Sequence, residues 1–321
     1  MDTSFIWDDK PQTIKEILSS EFLPQVIKAA RDGSGHTDPS QDILVLFRDV
    51  SGSRVLARVP TPNPSEKCLA FIPTEYKGWF TFESNSPDQV NGIRSISKVL
   101  EIMPRVFLTC TEITCYYELS RPENGADYVK GHIDGNECLT VNSMYEGYIK
   151  YSNLRGKVKR KLERFLKVST SSRKIALLRV KQEGQFYIVD LGKNRHTDAY
   201  DTVSVHRVKE VLTRTELPVR VYPIGDKNEL KFTKKTKRQQ DNSIELLETV
   251  PFNAVVACTL HSRGNQLIEL PLHTEVKYQR AVQTPPAKSH EALRKTLIFA
   301  DSHVDKFLAK ITYKPLTNGT S

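Results

Sequence analysis

Residues 14–27 read Ile14-Lys-Glu-Ile-Leu-Ser-Ser-Glu-Phe-Leu-Pro-Gln-Val-Ile27, and residues 208–221 read Val208-Lys-Glu-Val-Leu-Thr-Arg-Thr-Glu-Leu-Pro-Val-Arg-Val221. The two stretches align without a gap; five of fourteen positions are identical and Ile/Val exchanges fill three more. A shorter copy, Ile96-Ser-Lys-Val-Leu-Glu-Ile-Met-Pro-Arg-Val106, lies between them. Each copy predicts the same local structure. Ile14, Ile17 and Leu18, or Val208, Val211 and Leu212, recur at helical spacing and give a short helix one apolar face. Proline then stops the helix and opens a strand, where its missing N–H does least harm. The spacing between copies is irregular, so they predict duplicated β pieces, each fronted by a helical turn, rather than a solenoid.

Short β-type runs dominate the rest of the chain. Stretches 42–47, 53–59, 78–83, 105–110, 137–142, 173–180, 185–191, 219–223, 252–260 and 266–279 are rich in Val, Ile, Leu, Thr, Phe and Tyr and are bounded by turn residues. Gln182-Glu183-Gly184 and Arg263-Gly264-Asn265 predict hairpin tips between neighbouring strands. Many short strands separated by turn signals predict a mainly β fold of barrels or sandwiches. One longer helix is expected from Glu291 to Ile311. Leu293, Leu297, Ala300, Val304, Phe307, Leu308 and Ile311 make one apolar face there, for packing onto the body.

The totals exclude several function classes. With 321 residues the chain has length for about two domains and a real core. Its longest apolar runs, such as Ile43-Leu-Val-Leu-Phe47, are far short of the ~20 residues of a membrane-spanning helix. The acidic start, Met1-Asp-Thr-Ser-Phe-Ile-Trp-Asp-Asp9, is unlike a secretory signal. Five cysteines, none in a Cys-x-x-Cys pair, argue against a disulfide framework or a zinc ribbon and for a reducing compartment. Cys110 and Cys115 fall on or near a strand and read as buried thiols. His132, His196, His206, His261 and His273 are scattered, and no nucleophile elbow or phosphate-cradling glycine loop occurs. No enzyme, cofactor or metal site is therefore expected. The formal charge of +9 favours acidic partners.

Against this background, Gly52-Ser-Arg-Val-Leu-Ala57 followed by Phe71-Ile-Pro-Thr-Glu-Tyr-Lys-Gly-Trp-Phe80 resembles the CABIT module of the Themis family, which also occurs in the GAREM adaptors. The three helix-then-proline units, the Asp42-Ile-Leu-Val-Leu46 strand, and the late pair Val255-Val-Ala-Cys-Thr-Leu260 and Ile268-Glu-Leu-Pro-Leu272 match by pattern and in order. The resemblance covers about residues 12–280. It implies two linked β-barrel-like units, and a non-catalytic signalling regulator or scaffold that binds a tyrosine phosphatase or an adaptor. The family's namesake cysteine is absent from the corresponding strand, Ile175-Ala-Leu-Leu-Arg-Val180, and the following Leu-Pro reads Leu191-Gly192. A proline-rich tail is missing too, so the resemblance does not extend to adaptor recruitment through one. The implied organisation is a tail (1–11), the module (12–280), and a linker with the C-terminal amphipathic helix (281–321). Within the module we expect a first β unit (about 12–150), a basic helical connector (151–172) and a second β unit (173–280).

Three stretches are candidate binding sites. In Ile72-Pro73-Thr-Glu-Tyr76-Lys-Gly78-Trp79-Phe80, Pro73 and Gly78 predict a tight turn, with a positive φ at Gly78 and Phe80 returning to the core. Exposed Tyr76 and Trp79 would offer a partner site. In Leu154-Arg-Gly-Lys-Val-Lys-Arg-Lys-Leu-Glu-Arg-Phe-Leu-Lys167, the apolar residues 154, 158, 162, 165 and 166 share a helical face. Seven Lys or Arg stand against one Glu in 155–167. That pattern predicts a basic amphipathic helix, with Lys157, Lys159, Arg160, Lys161 and Arg164 docking an acidic protein surface or anionic lipid. Lys231, Lys234, Lys235, Lys237 and Arg238 form a third basic cluster, expected in a surface loop. The alternative is a basic β-barrel that binds nucleic acid. It is disfavoured here because the cations fall in an expected helix and a loop with few aromatics. The expected location is the cytoplasm, with the nucleus second.

Overall fold

A computed structural model describes residues 5–20, 22–30, 43–60, 68–82, 92–123, 125–153, 155–189, 204–225, 230, 243–260, 264–282 and 287–315. It is mainly β. In chain order the elements are β1 (Gln12–Thr13), α1 (Ile14–Ser20), β2 (Gln25–Ala29), β3 (Leu44–Val59), β4 (Cys68–Pro73), β5 (Trp79–Phe82), β6 (Ile93–Ser95), α2 (Ile96–Ile102), β7 (Val106–Thr109) and β8 (Ile113–Glu123). There follow β9 (Ala126–Ile133), β10 (Glu137–Ser152), β11 (Val158–Ser169), β12 (Ile175–Arg179), β13 (Glu183–Val189), β14 (Ser204–Val205), α3 (Val208–Arg214), β15 (Val219–Ile224), β16 (Ile244–Thr259), β17 (Leu267–Pro271), β18 (Lys277–Arg280), α4 (Ala287–Leu308) and β19 (Thr312–Pro315).

The repeated units form as expected, and their caps explain why. Thr13 and Glu16 bond reciprocally at the start of α1: the Thr13 N–H donates to Glu16 Oε2 at 2.7 Å, and the Glu16 N–H donates to Thr13 Oγ1 at 3.3 Å. The Thr13 N–H and hydroxyl, which both donate to Glu16 Oε2, hold the Glu16 carboxyl below its ordinary range. Ser95 accepts the Lys98 N–H at the start of α2, and Glu210 accepts the Arg207 N–H at the start of α3. Each arrangement satisfies a donor that a helix terminus leaves open. The Leu23–Pro24 and Leu217–Pro218 peptide bonds are cis. The middle copy departs there: α2 ends on left-handed Met103, whose N–H bonds to Val99 O at 2.8 Å.

The chain divides into two compact units, and not at the expected place. Unit 1 comprises Met1–Val55 and Thr249–Lys310; unit 2 comprises Leu56–Glu248 and Ile311–Ser321. The expected connector at 151–172 lies inside unit 2, so the division into 12–150 and 173–280 is corrected. Long strands β3 and β16 each contribute residues to both units.

In unit 1, β1 pairs β18, β18 pairs β2, β2 pairs β3, and β16 pairs β17, all antiparallel. The last pair realises the hairpin expected around Gly264. Successive residues of β2 face opposite ways, so both sides need cover. Ile27, with Leu44 and Leu46, packs on Ile14 and Ile17 of α1. Val26, with Val45 and Phe5, packs on Leu293 and Leu297 of α4. The C-terminal helix therefore packs onto its body, as its apolar face requires. Arg54, from the Gly52–Ala57 stretch, is buried; its guanidinium grips Glu269 with both Nη atoms and lies 3.6 Å over the Phe252 ring.

In unit 2, β8 pairs β9, β9 pairs β10 in parallel, and β10 pairs β11; then β11 pairs β12 and β12 pairs β8. These pairings close a five-stranded ring. Its interior receives Tyr116 from β8, Tyr128 from β9, Ile149 from β10, Phe165 from β11 and Leu177 from β12. β7 pairs both β10 and β13, and a second core forms around Phe107, Leu166, Leu178 and Phe186 with α2 packed over it. The hairpin expected at Gln182–Gly184 does not form: β12 pairs β8 and β11, whereas β13 pairs β6, β7 and β14.

A candidate partner-binding ribbon

Residues 158–169 are a strand, not a helix. The helical expectation rested on apolar spacing and on Lys, Arg and Glu, which suit helices. Twelve rungs of pairing with β10 override that propensity, from Thr140↔Ser169 to Ser152↔Val158. The turn that makes this possible was readable. Asn153 Oδ1 accepts the Arg155 and Lys157 N–H groups at 3.0 and 2.9 Å, and Gly156 takes a positive φ of 73°. An Asn-x-x-Gly tip between two β-compatible runs is a hairpin signal.

The β10–β11 ribbon has two unlike faces. A register shift between Val141 and Ser143 changes which residues of β10 face each way. Beyond it, Tyr145, Ile149 and Tyr151 turn inward with Phe165; Tyr116 meets Tyr151 edge-on at 4.8 Å and Phe165 at 5.9 Å. Lys159 and Lys161 are paired with Tyr151 and Ile149 on this inner side, and Lys161 binds Glu163 at 2.9 Å. The outer face carries Met144 opposite Leu166, Glu146 opposite Arg164, Tyr148 opposite Leu162, Lys150 opposite Arg160 and Ser152 opposite Val158. Apolar side chains stand in solvent there: Tyr148 is 69% exposed and Leu162 58%, and Met144 and Val158 are exposed as well. Arg164 pairs with Glu146 at 3.5 Å and donates to Met144 Sδ at 3.3 Å. Lys150 and Arg160 sit directly opposite one another, and among the described residues neither forms an ion pair with an acidic group. Like charges on one rung destabilise a sheet.

The candidate residues are thus redistributed. Arg160 and Arg164 lie on the outer face, Lys159 and Lys161 on the inner one, and Lys157 at the tip. Met144, Glu146, Tyr148 and Lys150 complete the surface and were missed, because 144–152 carries no clean alternation of apolar and polar residues that would mark its two faces.

The Ile72–Phe80 stretch is structural. The Tyr76 N–H bonds to Pro73 O at 2.9 Å, so the expected turn forms. Tyr76 and Trp79 are only 7% and 6% exposed, which removes them as partner contacts. The reason for Gly78 also differs from expectation: a Cβ there would collide with the edge of the Tyr76 ring beside its hydroxyl, and no positive φ is involved. Trp79 is covered by the Arg207 guanidinium at 3.5 Å. Phe80 and His206 exchange both backbone hydrogen bonds, at 2.9 and 2.8 Å. Ile72 and Phe80 are fully buried. The stretch fastens β5 to the start of α3. Burial pushes the nearby Cys138 thiol up to about 11, against the pull of Arg207, and it lowers Arg207.

No group of His, Cys, Asp and Glu able to hold a metal ion occurs among the described residues. Among them, too, no helix is long and apolar enough to cross a membrane. The cluster from Lys231 to Arg238, with His196 and His261, lies outside the described residues. No protein-family model, curated protein or solved structure matches this chain.

Proposed function

We propose that this chain is a non-enzymatic binding protein, a signalling regulator of the CABIT kind, whose partner docks on the outer face of the β10–β11 ribbon. The observation that carries the reading is Tyr148 and Leu162, exposed side by side and flanked by the cations Lys150 and Arg160, which form no ion pair among the described residues. An apolar anchor rimmed by charge is how interfaces concentrate binding energy. The sequence resemblance supplies the class of partner, a tyrosine phosphatase or receptor adaptor. The proposed location is the cytoplasm, with the nucleus second.

Affinity capture from the native cell, read by mass spectrometry, tests this with the intact chain and with Arg160→Glu/Leu162→Ser. A phosphatase or adaptor recovered with the intact chain and lost with the variant supports the reading. Ribonucleoprotein or chromatin components recovered instead would sink it. They would favour the second reading, a nucleic-acid binder, for which exposed Tyr148 beside the Lys150/Arg160 rung is the supporting observation.

A further inference from the structure

We infer that the ribbon's partner is an extended acidic peptide segment, one that places a carboxylate and a large aliphatic side chain two residues apart. This deepens, and rests on, the partner-binding reading above. Consecutive outer rungs of an antiparallel ribbon stand about 7 Å apart, and so do residues i and i+2 of an extended peptide. The Tyr148/Leu162 rung accepts an aliphatic side chain. The adjacent Lys150/Arg160 rung then meets the acidic group, which relieves the repulsion between two facing cations.

The geometry separates this partner from two others. A bilayer would require an unbroken apolar face on the hairpin. The outer face is instead interrupted by the Glu146–Arg164 ion pair, which stands between the Met144/Leu166 and Tyr148/Leu162 rungs. Single-stranded nucleic acid would require several exposed rings for stacking. Tyr145 and Tyr151 turn inward, leaving Tyr148 as the exposed ring among the described residues of the outer face.

Fluorescence anisotropy with labelled synthetic peptides tests the inference on the full chain. The probe repeats Leu-Ser-Glu-Ser, which puts Leu and Glu alternately on one side of an extended strand. One control replaces Glu by Gln; another alternates Leu and Glu, which puts them on opposite sides. Oligothymidylate and phosphatidylserine vesicles are the competing probes. The expected result is saturable binding of the first peptide, weakened at least tenfold in either control and at least tenfold in Lys150→Gln/Arg160→Gln. Both substitutions are at exposed positions, and unchanged far-ultraviolet circular dichroism would confirm the fold. Equal affinity for the Gln peptide, tighter binding of oligothymidylate or vesicles, or no loss in the variant would each overturn the inference. If no peptide binds while cellular capture still depends on Arg160 and Leu162, the peptide inference falls and the binding reading stands.

Discussion

Arg54 offers the sharpest test of how unit 1 is held together. It is buried, bonds Glu269 through both terminal nitrogens, and stacks on Phe252 at 3.6 Å. Removing one partner of a buried pair costs about 3–5 kcal/mol, because the other charge is left without compensation. The Glu269 side chain keeps 21% of its exposure, so water can partly solvate it and the lower end applies. Loss of the ring contact adds on the order of 0.5–1 kcal/mol. Arg54→Leu should therefore destabilise unit 1 by about 3.5–4 kcal/mol. Glu269→Leu should cost about 2–3 kcal/mol, leaving the guanidinium on its ring. The double replacement should cost much less than the sum, a coupling above ~1.5 kcal/mol. Urea unfolding can isolate the unit, because the chain has two tryptophans and Trp7 lies in unit 1 while Trp79 lies in unit 2. A Trp79→Phe background leaves Trp7, packed 5.5 Å from Phe5, as the reporter. Additivity of the two replacements within about 0.5 kcal/mol would refute the claim that they act as one unit.

Gly78→Ala should destabilise unit 2 by about 1–3 kcal/mol, since the new methyl must displace the packed Tyr76 ring; a wild-type midpoint for Trp79 fluorescence in urea would rule that out. Lys150→Glu should raise stability by about 0.2–1 kcal/mol, because it turns a like-charged rung into an ion pair. A fall in melting temperature would show that Lys150 has a stabilising contact. Cys115 and Cys258, pushed up to about 11 by burial, should resist alkylation at pH 8, where roughly a thousandth is thiolate. Mass spectrometry after a timed iodoacetamide pulse should find half-buried Cys68 labelled first, and early labelling of Cys115 would contradict its packing.

What was legible in the sequence follows from the range of the interactions involved. The helix-then-proline units were readable because caps, apolar spacing and proline act within a few residues of one another. Thr13 with Glu16 and Arg207 with Glu210 are such pairs. The C-terminal helix was readable for the same reason. In the ribbon only the turn at Asn153 and Gly156 was readable; the second strand was not, because residues 154–167 satisfy a helical apolar pattern as written. Only pairing with Tyr148 and its neighbours makes them a strand. Tyr76 and Trp79 were misread as exposed because their cover is distant: Arg207 stacks on Trp79 from a segment more than a hundred positions away in sequence. Local signals thus located most elements, while the faces they present were set by long-range partners.

The division of the chain has a consequence for its synthesis. Unit 1 draws on both Met1–Val55 and Thr249–Lys310, and β1 pairs with β18, Gln12 opposite Tyr278. As the chain leaves the ribosome, the first segment emerges with its apolar faces made and their cover not yet translated. Ile27, Leu44 and Leu46 must wait for Val255, Ala257 and Tyr278. Most of unit 2 emerges in between. Within it Arg58 binds Glu245, which brings together the two points where its main stretch joins unit 1. Once unit 2 has folded, the intervening stretch no longer counts as a long flexible loop, and the entropy of closing unit 1 falls accordingly. The nascent N-terminal segment, with its β-rich Ile43–Phe47 run, is therefore the part of this protein that most needs shielding by a chaperone while the rest is being made.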